Sequence, residues 1–307
     1  MRKGFLISAF KDPVHLGRLV CALDDADSDF YVHIDKKEDI RPYQKVCEGR
    51  NVLFLNNRVN VYWGTYSQVE FQMRLIKAAL DSGQSYDRLF ILSGQDYPLW
   101  SNRQINDYLS QIGDEELLSA ICLDSKEVDG PYKKIYRCYR PQTDLPVIGA
   151  KGNDLLSKGI RKVAKLMGVH QPLHFEADGY EWKLYKGSDY LCLSGELARY
   201  VYETWANTPS VQKYFRTSFA PSETCIQTIV FNHPEYRKKG DLHYGNYTTL
   251  KDLTRLHHID YAPVIRVWQE GDMTELLESG KMFARKFETG ISDALLERID
   301  EIRKSSK

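Results

Sequence analysis

The order of apolar and amphipathic segments in residues 1–123 restricts the fold more than any other feature of the sequence. Apolar runs of strand length occur at residues 3–10, 30–34, 52–55, 88–93 and 117–123. Longer segments between them repeat their apolar residues at helical spacing, and these are residues 12–25, 67–80 and 101–112. Strand–helix alternation at these lengths predicts a mostly parallel sheet with helices on both faces.

Local signals mark where the predicted helices begin. Pro13 falls in the first turn of the helix over 12–25, a position where its missing N–H is not needed. Ser67 and Ser101 stand at the starts of the next two helices, where a serine hydroxyl can accept a hydrogen bond from a free backbone N–H. We therefore predict that Ser67 and Ser101 are N-cap residues.

Residues 124–307 follow a less regular pattern. Periodicity predicts helices at 153–167, 195–205, 222–231 and 291–302, and a strand at 188–194. The sequence contains no internal repeat, low-complexity tract or Pro/Gly-rich linker. We therefore predict one continuous domain over residues 1–307, with the less regular structure in its C-terminal half.

The charge balance argues against one class of partner. The 42 acidic residues equal the 42 basic residues, so the net charge is zero. A neutral chain provides no general attraction for nucleic acid, and we expect no such partner. The 20 tyrosines and 5 tryptophans would suit contacts with sugar rings, although half-buried strands use the same side chains.

Targeting signals and cysteine spacing predict the compartment. Residues 5–10 form a short apolar run without a cleavage site after it, which is not a signal peptide. Apolar runs of about 18–20 residues, the length that spans a bilayer, do not occur in the sequence. The six cysteines are far apart and form no C-x-x-C pair, so we expect reduced thiols and a cytoplasmic protein.

The loops after the predicted parallel strands are the expected ligand site. Sheets of this class bind ligands at the carboxyl ends of their strands. There the sequence has "SAFKDP" with Ser8 and Ala9, "HIDKKED" with Asp35, and "SGQDYP" with Asp96. We predict that these residues line a cleft.

The sequence does not predict a metal in this cleft. Hard divalent cations need several oxygen ligands, but the positions two residues from Asp96 are Gly94 and Pro98. A literal D-x-D at 25–27, extended to Asp29, precedes the second strand, and we interpret it as a solvated turn. Two H-I-D segments, at 33–35 and at 257–260 with a second histidine, supply too few ligands for a site.

Without a metal, an anionic ligand such as a diphosphate must meet side-chain cations or helix N-termini. The segment 279–287 is the best cationic candidate, because Lys281, Arg285 and Lys286 alternate with apolar residues that would fix it. An ordinary basic surface loop explains the same pattern. Arg255 and Arg266 are weaker candidates of the same kind.

Glu223 is the candidate general base. Pro221 and Ser222 mark the start of the helix predicted over 222–231, which would put Glu223 in its first turn. There the helix dipole would favour the ionised carboxylate by roughly 0.3–1 kcal/mol. The alternative is that an acidic residue in a first turn is simply good helix design.

Six segments in order resemble one known family. They are "FYVHIDKKED", "VYWGTYSQVEFQMRLIKAAL", "YDRLFILSGQDYPL", "YKGSDYLCLS", "FAPSETCIQTIVF" and "SGKMFARKF". Together they resemble the family 14 branching glycosyltransferases, which include core-2/I-branching β-1,6-N-acetylglucosaminyltransferases and peptide O-xylosyltransferases. The resemblance implies a GT-A-like fold, a UDP-sugar donor, a glycan or other hydroxyl acceptor, inversion at the anomeric carbon, and no metal or other cofactor.

The resemblance also assigns roles to residues. It implies that Glu223 is the base, that Lys286 contacts the diphosphate with Arg285 beside it, and that Asp35 meets the uridine. A second diphosphate-binding arginine is implied upstream, where Arg255 and Arg266 are rivals. Asp96, Ser8 and Ala9 would line the donor cleft, while Glu181 and Trp182 would contact the acceptor.

On this resemblance, residues 1–123 form the nucleotide-sugar-binding half and residues 124–307 the acceptor and catalytic half. The resemblance does not extend to the family's membrane anchor, stem and lumenal disulfides, so we expect a bacterial cytoplasmic form, with peripheral association with a membrane left open. Two alternatives remain. One is a metal-dependent nucleotide-sugar transferase of other stereochemistry, and the other is a non-catalytic carbohydrate-binding protein.

Overall fold

The computed structural model describes residues 1–128, 130–244, 253–261 and 264–305. Its strands are β1 (Lys3–Ala9), β2 (Ser28–Ile34), β3 (Val52–Phe54), β4 (Arg88–Ser93), β5 (Asp96–Pro98), β6 (Ser119–Cys122), β7 (His174–Ala177), β8 (Tyr180–Lys183), β9 (Tyr185–Gly187), β10 (Leu191–Leu193), β11 (Asp241–His243), β12 (His257–Ile259) and β13 (Phe283–Arg285).

The α-helices are α1 (Pro13–Leu23), α2 (Arg41–Val46), α3 (Ser67–Asp81), α4 (Asn102–Gln111), α5 (Gly130–Tyr136), α6 (Gly149–Leu166), α7 (Gly195–Asn207), α8 (Pro209–Phe215), α9 (Cys225–Asn232), α10 (Met273–Glu278) and α11 (Asp293–Ser305). Short 3₁₀ helices cover Pro146–Ile148, Pro221–Glu223, Tyr236–Lys238 and Glu270–Asp272.

The central sheet has the strand order β10-β4-β1-β2-β3. The first four strands of the chain run parallel in it, and β10 pairs antiparallel with β4 at the edge. The predicted mixed α/β fold, with a central and mostly parallel sheet flanked by helices, is therefore confirmed.

Alternate residues of the central strands face two different cores. Phe5 lies between Phe30 and Phe90 on one face, with ring centres 5.3 and 5.2 Å away. Leu6 and Tyr31 point to the other face, into a core that also contains buried residues of β6, α7 and α9. Strands buried on both faces read as continuous apolar runs, and this is why the sequence revealed them.

The prediction that segment 117–123 joins the central parallel sheet is wrong. β6 pairs in parallel with β11 and antiparallel with β9, in a separate sheet of the order β11-β6-β9. In the described parts of the chain, its backbone pairing with the edge of the central sheet is an isolated bridge from Leu117 to Cys192. Position 192 belongs to β10, which occupies the place beside β4 that β6 would have needed.

A third small sheet, β12-β13-β5, contains the cationic segment. The alternative that residues 279–287 form a basic surface loop is wrong for residues 283–285, which are a buried strand. β13 pairs antiparallel with β5, in a register that sets Arg285 opposite Asp96. Sheet pairing therefore fixes the position of the arginine next to the predicted cleft.

The two predicted serine caps differ in outcome. Ser101 caps α4 in a capping box, because its hydroxyl accepts from the N–H of Gln104 while the Gln104 side chain accepts from Ser101. The prediction for Ser67 is wrong, since Tyr66 is the N-cap and Ser67 is the first helical residue. The Ser67 hydroxyl instead accepts from the N–H of Tyr62 in the preceding loop, at 2.9 Å.

All six cysteines lie within the described residues and are free thiols, as expected from their spacing. Each helix in the described parts of the chain is too short or too polar to cross a membrane.

Candidate active site

The residues predicted to line a cleft lie where the carboxyl ends of β1, β2 and β4 meet. The carbonyl of Ser8 accepts from the N–H of Gly94 at 2.8 Å, and the carbonyl of Ala9 accepts from the N–H of Asp35 at 2.9 Å. Glycine is required at 94, because an added Cβ would lie 2.6 Å from the Cβ of Ala9. The loops that contain Ser8, Ala9, Asp35 and Asp96 are thus brought together.

Asp96 is fully buried and its carboxylate accepts three hydrogen bonds. They come from the N–H of Ser93 at 2.7 Å, from His257 Nε2 at 3.0 Å and from Arg285 at 3.0 Å. Burial by itself would raise the pKa of Asp96. The charges and hydrogen bonds of His257 and Arg285, with the Ser93 N–H, outweigh burial and hold this pKa below its usual value.

Arg285 links Asp96 to the rest of the site. Its guanidinium lies 5.2 Å from the ring centre of Tyr190, within the range of a cation–π contact. Burial opposes its charge, but the Tyr190 and Asp96 interactions raise the pKa of Arg285 above its usual value. Its Nε is buried and has no hydrogen-bond partner among the described residues, although most buried polar groups in proteins have one.

Glu223 lies at the end of the 3₁₀ helix Pro221–Glu223, and the prediction that it sits in the first turn of an α-helix is wrong, because α9 begins at Cys225. Its Oε2 accepts from the Tyr136 hydroxyl at 2.7 Å and lies 3.2 Å from Lys186 Nζ. These two contacts fix the position of the Glu223 side chain. Its side chain is 26% exposed and can be reached by a ligand.

Asp189 connects Glu223 with Arg285. It is partly buried, and desolvation together with the negative charge of Glu223 raises its pKa to about 7, although Ser222, Lys186 and Arg285 act in the opposite direction. Its Oδ1 has no hydrogen-bond partner in the described parts of the chain. Carboxyl groups with strongly raised pKa values are concentrated at functional sites.

Lys186 and Tyr261 also belong to the group of residues around Glu223, Asp189 and Arg285. Lys186, in β9, is fully buried, and its Nζ also donates to the carbonyl of Gly187 at 2.9 Å. Burial, followed by the negative charges of Glu223 and Asp189, raises the pKa of Tyr261 well above its usual value. Sequence reasoning missed Asp189, Lys186, Tyr136, Tyr190 and Tyr261. The signal was present for two of them, since a lysine and an aspartate interrupt the apolar pattern in "YKGSDYLCLS".

Lys286 lies in a neighbouring charged cluster. Its Nζ is 3.2 Å from Glu288, whose carboxylate also accepts from Lys11 at 2.7 Å and from Gln95 at 3.2 Å. The bond from Lys11 is the main reason that the pKa of Glu288 falls to about 2. The cluster joins the loop after β1, the turn before β5 and the end of β13.

Asp35 is buried at the end of β2 and is held by its own loop. It accepts from the N–H and the Nζ of Lys37, at 3.0 and 2.7 Å. The adjacent His33 is a hydrogen-bond acceptor for the N–H of Val59, and burial lowers its pKa to about 4.

The two rival arginines are engaged elsewhere. Arg255 forms an ion pair with Glu115 at 2.6 Å. Arg266 contacts Asp260, Asp272 and Glu275. Neither is among the residues that the structure gathers around Asp189.

The predicted acceptor residues lie on β8. Glu181 is exposed and Trp182 is in the hydrophobic core, where it packs against Phe175 at 6.0 Å between ring centres. Both lie outside the group that includes Glu223, and their acceptor role stays a prediction.

The remaining acidic and histidine motifs are accounted for by internal contacts. Asp25 is in the turn before β2, but Asp29 is buried and accepts from Arg2 and Tyr86, so its interpretation as solvated is wrong. His258 bonds to Glu275 at 2.9 Å. Among the described residues, no group of three or more His, Cys, Asp or Glu could hold a metal.

Comparison with known proteins identifies the family. The model of the Core-2/I-branching enzyme family matches residues 4–249. Xylosyltransferase 2 of Rattus norvegicus is 24% identical over 304 residues, which cover 93% of this chain and 32% of the relative. The N-acetyllactosaminide β-1,6-N-acetylglucosaminyl-transferase of Mus musculus is 23% identical over 282 residues, which cover 88% of this chain and 65% of the relative.

A third relative is named for the transfer of another sugar. The β-glucuronosyltransferase GlcAT14A of Arabidopsis thaliana is 25% identical over 316 residues, which cover 98% of this chain and 64% of the relative. The chain thus spans about a third of the first relative and just under two thirds of the other two.

Proposed function

We propose that this chain, which belongs to the Core-2/I-branching enzyme family, is a glycosyltransferase with a GT-A-like fold that moves a sugar from a UDP-sugar to an acceptor hydroxyl with inversion. Xylose and N-acetylglucosamine are the first sugars to test, because relatives are named for their transfer. Glucuronic acid is the third, for the same reason.

One observation carries the proposal. Glu223 and Arg285 are distant in sequence, yet both contact the short segment 186–190. Lys186 Nζ lies 3.2 Å from Glu223, and the Arg285 guanidinium lies 5.2 Å from the ring centre of Tyr190. In this proposal, the carboxylate and the guanidinium supply the two charges that an inverting transfer uses. The carboxylate accepts the acceptor's proton, and the cation meets the charge that develops on the departing diphosphate.

In the proposed reaction, Glu223 accepts the proton of an acceptor hydroxyl as the hydroxyl oxygen attacks the anomeric carbon. The bond from that carbon to the UDP oxygen breaks, and its electron pair leaves with the diphosphate. General-base catalysis of this kind contributes roughly 10²–10⁴-fold. Tyr136 and Lys186 hold the Glu223 side chain in position for this step.

Arg285 and Lys286 stabilise the departing diphosphate in this proposal, and no metal is required. Arg285 has a buried donor, Nε, that has no hydrogen-bond partner among the described residues. Lys286 is partly exposed and shares Glu288 with Lys11, so a diphosphate would replace one anion partner with another. Preorganised cations of this kind can contribute several kcal/mol to transition-state stabilisation.

Asp189 is the competing candidate for the base, because its pKa of about 7 suits proton transfer at neutral pH. Substitution separates the two carboxyl groups. Glu223→Gln should lower kcat by about 10²–10⁴-fold while UDP still raises the melting temperature. Turnover within threefold of the wild type would remove the assignment of Glu223.

A parallel Asp189→Asn variant completes the test. If Glu223 is the base, the Asp189→Asn variant keeps measurable turnover with a changed pH profile. A loss of turnover in Asp189→Asn alone would assign the base to Asp189. Glu235→Gln, at an exposed glutamate paired with Lys238, is the matched control and should have wild-type kinetics.

A further inference from the structure

A cationic groove lies between α5, α6 and the residues that follow them. Its volume is about 930 Å³. The basic residues that line it are Lys134, Arg137, Lys158, Arg161, Lys162, Lys165 and His170. None of the described residues that line it is an Asp or a Glu. The one acidic neighbour on α6 is Asp154, which pairs with Lys158 at 2.5 Å.

Helix α6 adds an exposed apolar surface beside this groove. Only Asn153 and Ala164 of its described side chains are buried. Leu155 is 72% exposed and Leu166 is 80% exposed, and Met167 directly after the helix is 74% exposed. Leu156, Ile160 and Val163 are also exposed.

The apolar and the basic side chains of α6 lie on different sides of the helix. At 3.6 residues per turn, positions 155, 156, 160, 163 and 166 occupy one continuous arc of the helix. Positions 158, 161, 162 and 165 occupy the adjoining arc, which carries the basic residues of the groove. We name these positions of α6, with Met167, the α6 face. An exposed apolar arc bordered by lysine and arginine is the pattern of helices that lie in a membrane interface.

We propose that the α6 face binds the surface of a membrane that contains anionic lipids. The leucines and Met167 enter the boundary between headgroups and acyl chains, and the lysines and arginines contact lipid phosphates. This proposal goes beyond the transferase activity and does not depend on it.

Charge complementarity selects this occupant over a second copy of the chain. A symmetric dimer through the α6 face would set one row of lysines and arginines against an identical row, with no acidic residue in the groove to separate them. An anionic lipid surface supplies many negative charges to the same row. A lipid surface also covers the exposed apolar arc, and it does so without the complementary surface that a protein partner would need.

The groove beside the α6 face lies close to the candidate base, Glu223. Ile135 and Arg137 line the groove, and Tyr136 between them hydrogen-bonds Glu223. Phe219 also lines the groove and lies 6.1 Å from Tyr136 between ring centres. A membrane bound at α6 would therefore lie next to the end of the site that contains Glu223.

Vesicle flotation of the full chain tests the proposal. The probes are vesicles of phosphatidylcholine alone and of phosphatidylcholine with about a third of phosphatidylglycerol. We expect binding to the anionic vesicles that weakens as salt is raised from 0.1 to 0.5 M, since salt screens the lysine–phosphate attraction. Lys162→Glu with Lys165→Glu should weaken binding by about 10-fold or more. Leu155→Gln with Leu166→Gln should weaken it by about 10-fold.

Two control variants carry equivalent changes elsewhere on the surface. Lys45→Glu with Arg298→Glu reverses two exposed charges, and Leu53→Gln with Leu277→Gln removes two exposed leucines. Both should bind as the wild type does, and urea unfolding checks that all four variants are folded.

Three results would overturn the proposal. One is no binding of the wild type to anionic vesicles. Another is equal binding by the α6 and control variants. The third is a wild-type dimer, seen by light scattering, that either α6 variant converts to a monomer, because that result would assign the α6 face to self-association.

Discussion

At the residue scale, the stability of the site depends on a negative charge that is held in the interior. Asp96 has no solvent contact and accepts from Ser93, His257 and Arg285. Buried ion pairs of this kind become strongly destabilising when one partner is lost, because the other charge remains buried without compensation.

Asp96→Asn should therefore lower the free energy of unfolding by about 3–5 kcal/mol, measured by urea denaturation at pH 7. Asp39→Asn is the matched control, since Asp39 forms an exposed pair with Arg41, and it should leave the free energy of unfolding nearly unchanged. A change below 1 kcal/mol for Asp96→Asn would show that Arg285 does not depend on this carboxylate.

The second prediction at this scale concerns the pH dependence that Asp189 imposes. Its pKa is about 7 in the folded protein and about 3.8 in the unfolded chain, so the folded state binds the proton more tightly. Its contribution to stability is fully present below about pH 4 and is lost as the pH rises through 7. Urea unfolding from pH 4 to 8 should show this decline in the wild type, and Asp189→Asn should remove most of it.

Glu288 should affect stability over a different, more acidic pH range than Asp189. Its pKa falls from 4.5 to about 2 on folding, chiefly through its bond from Lys11. Its contribution is therefore present above about pH 4.5 and is lost as the pH falls through 2. Glu288→Gln should leave the decline between pH 4 and 8 unchanged. Parallel stability curves for the wild type and Asp189→Asn would contradict the shifted pKa of Asp189.

At the scale of elements, two glycines show how one residue type serves different purposes. Gly187 ends β9, where an added Cβ would lie 2.1 Å from the carbonyl oxygen of Ser119 in β6. Gly159 is inside α6, where an added Cβ would have no atom within 4 Å. The first glycine permits two strands to approach, and the second only weakens a helix.

Gly187→Ala should lower the free energy of unfolding by about 1–3 kcal/mol, because the strands must move apart. It should also lower kcat, since Lys186 precedes it. Gly159→Ala is the matched control and should raise stability by about 0.5–1 kcal/mol. Urea unfolding of both variants measures the difference, and equal effects would contradict the close approach of β6 and β9.

At the scale of the whole molecule, the proposed donor site joins segments from all parts of the chain. The loop after β1, the β4–β5 turn and β13 meet around Asp96 and Glu288, while Glu223 comes from between α8 and α9. A ligand that holds these segments together binds only the folded state and stabilises it as a unit.

UDP at about 100 times its Kd should therefore raise the free energy of unfolding by roughly 2.7 kcal/mol. The increase should be the same in EDTA and in Mn²⁺, because the proposed site uses side-chain cations. Lys286→Gln should reduce the increase, whereas Lys281→Gln, in the same segment, should keep it. The measurement is the melting temperature against UDP concentration, and an increase that requires Mn²⁺ would contradict the metal-free proposal.

The sequence determined the local structure of this protein. Each strand of the central sheet from β1 to β4, the capping box at Ser101 and the residues in the loops after the strands follow from periodicity and from single-residue preferences. These features depend on neighbours within a few positions, so a one-dimensional pattern contains them.

Only the tertiary structure decided which distant segments pair and which charges are buried together. It assigned segment 117–123 to a second sheet, made a strand of residues 283–285, and placed Asp189, Lys186 and Tyr136 beside Glu223. Strand partners and desolvated charges are set by contacts between residues far apart in the chain. The energy of those contacts depends on burial, which no local pattern encodes.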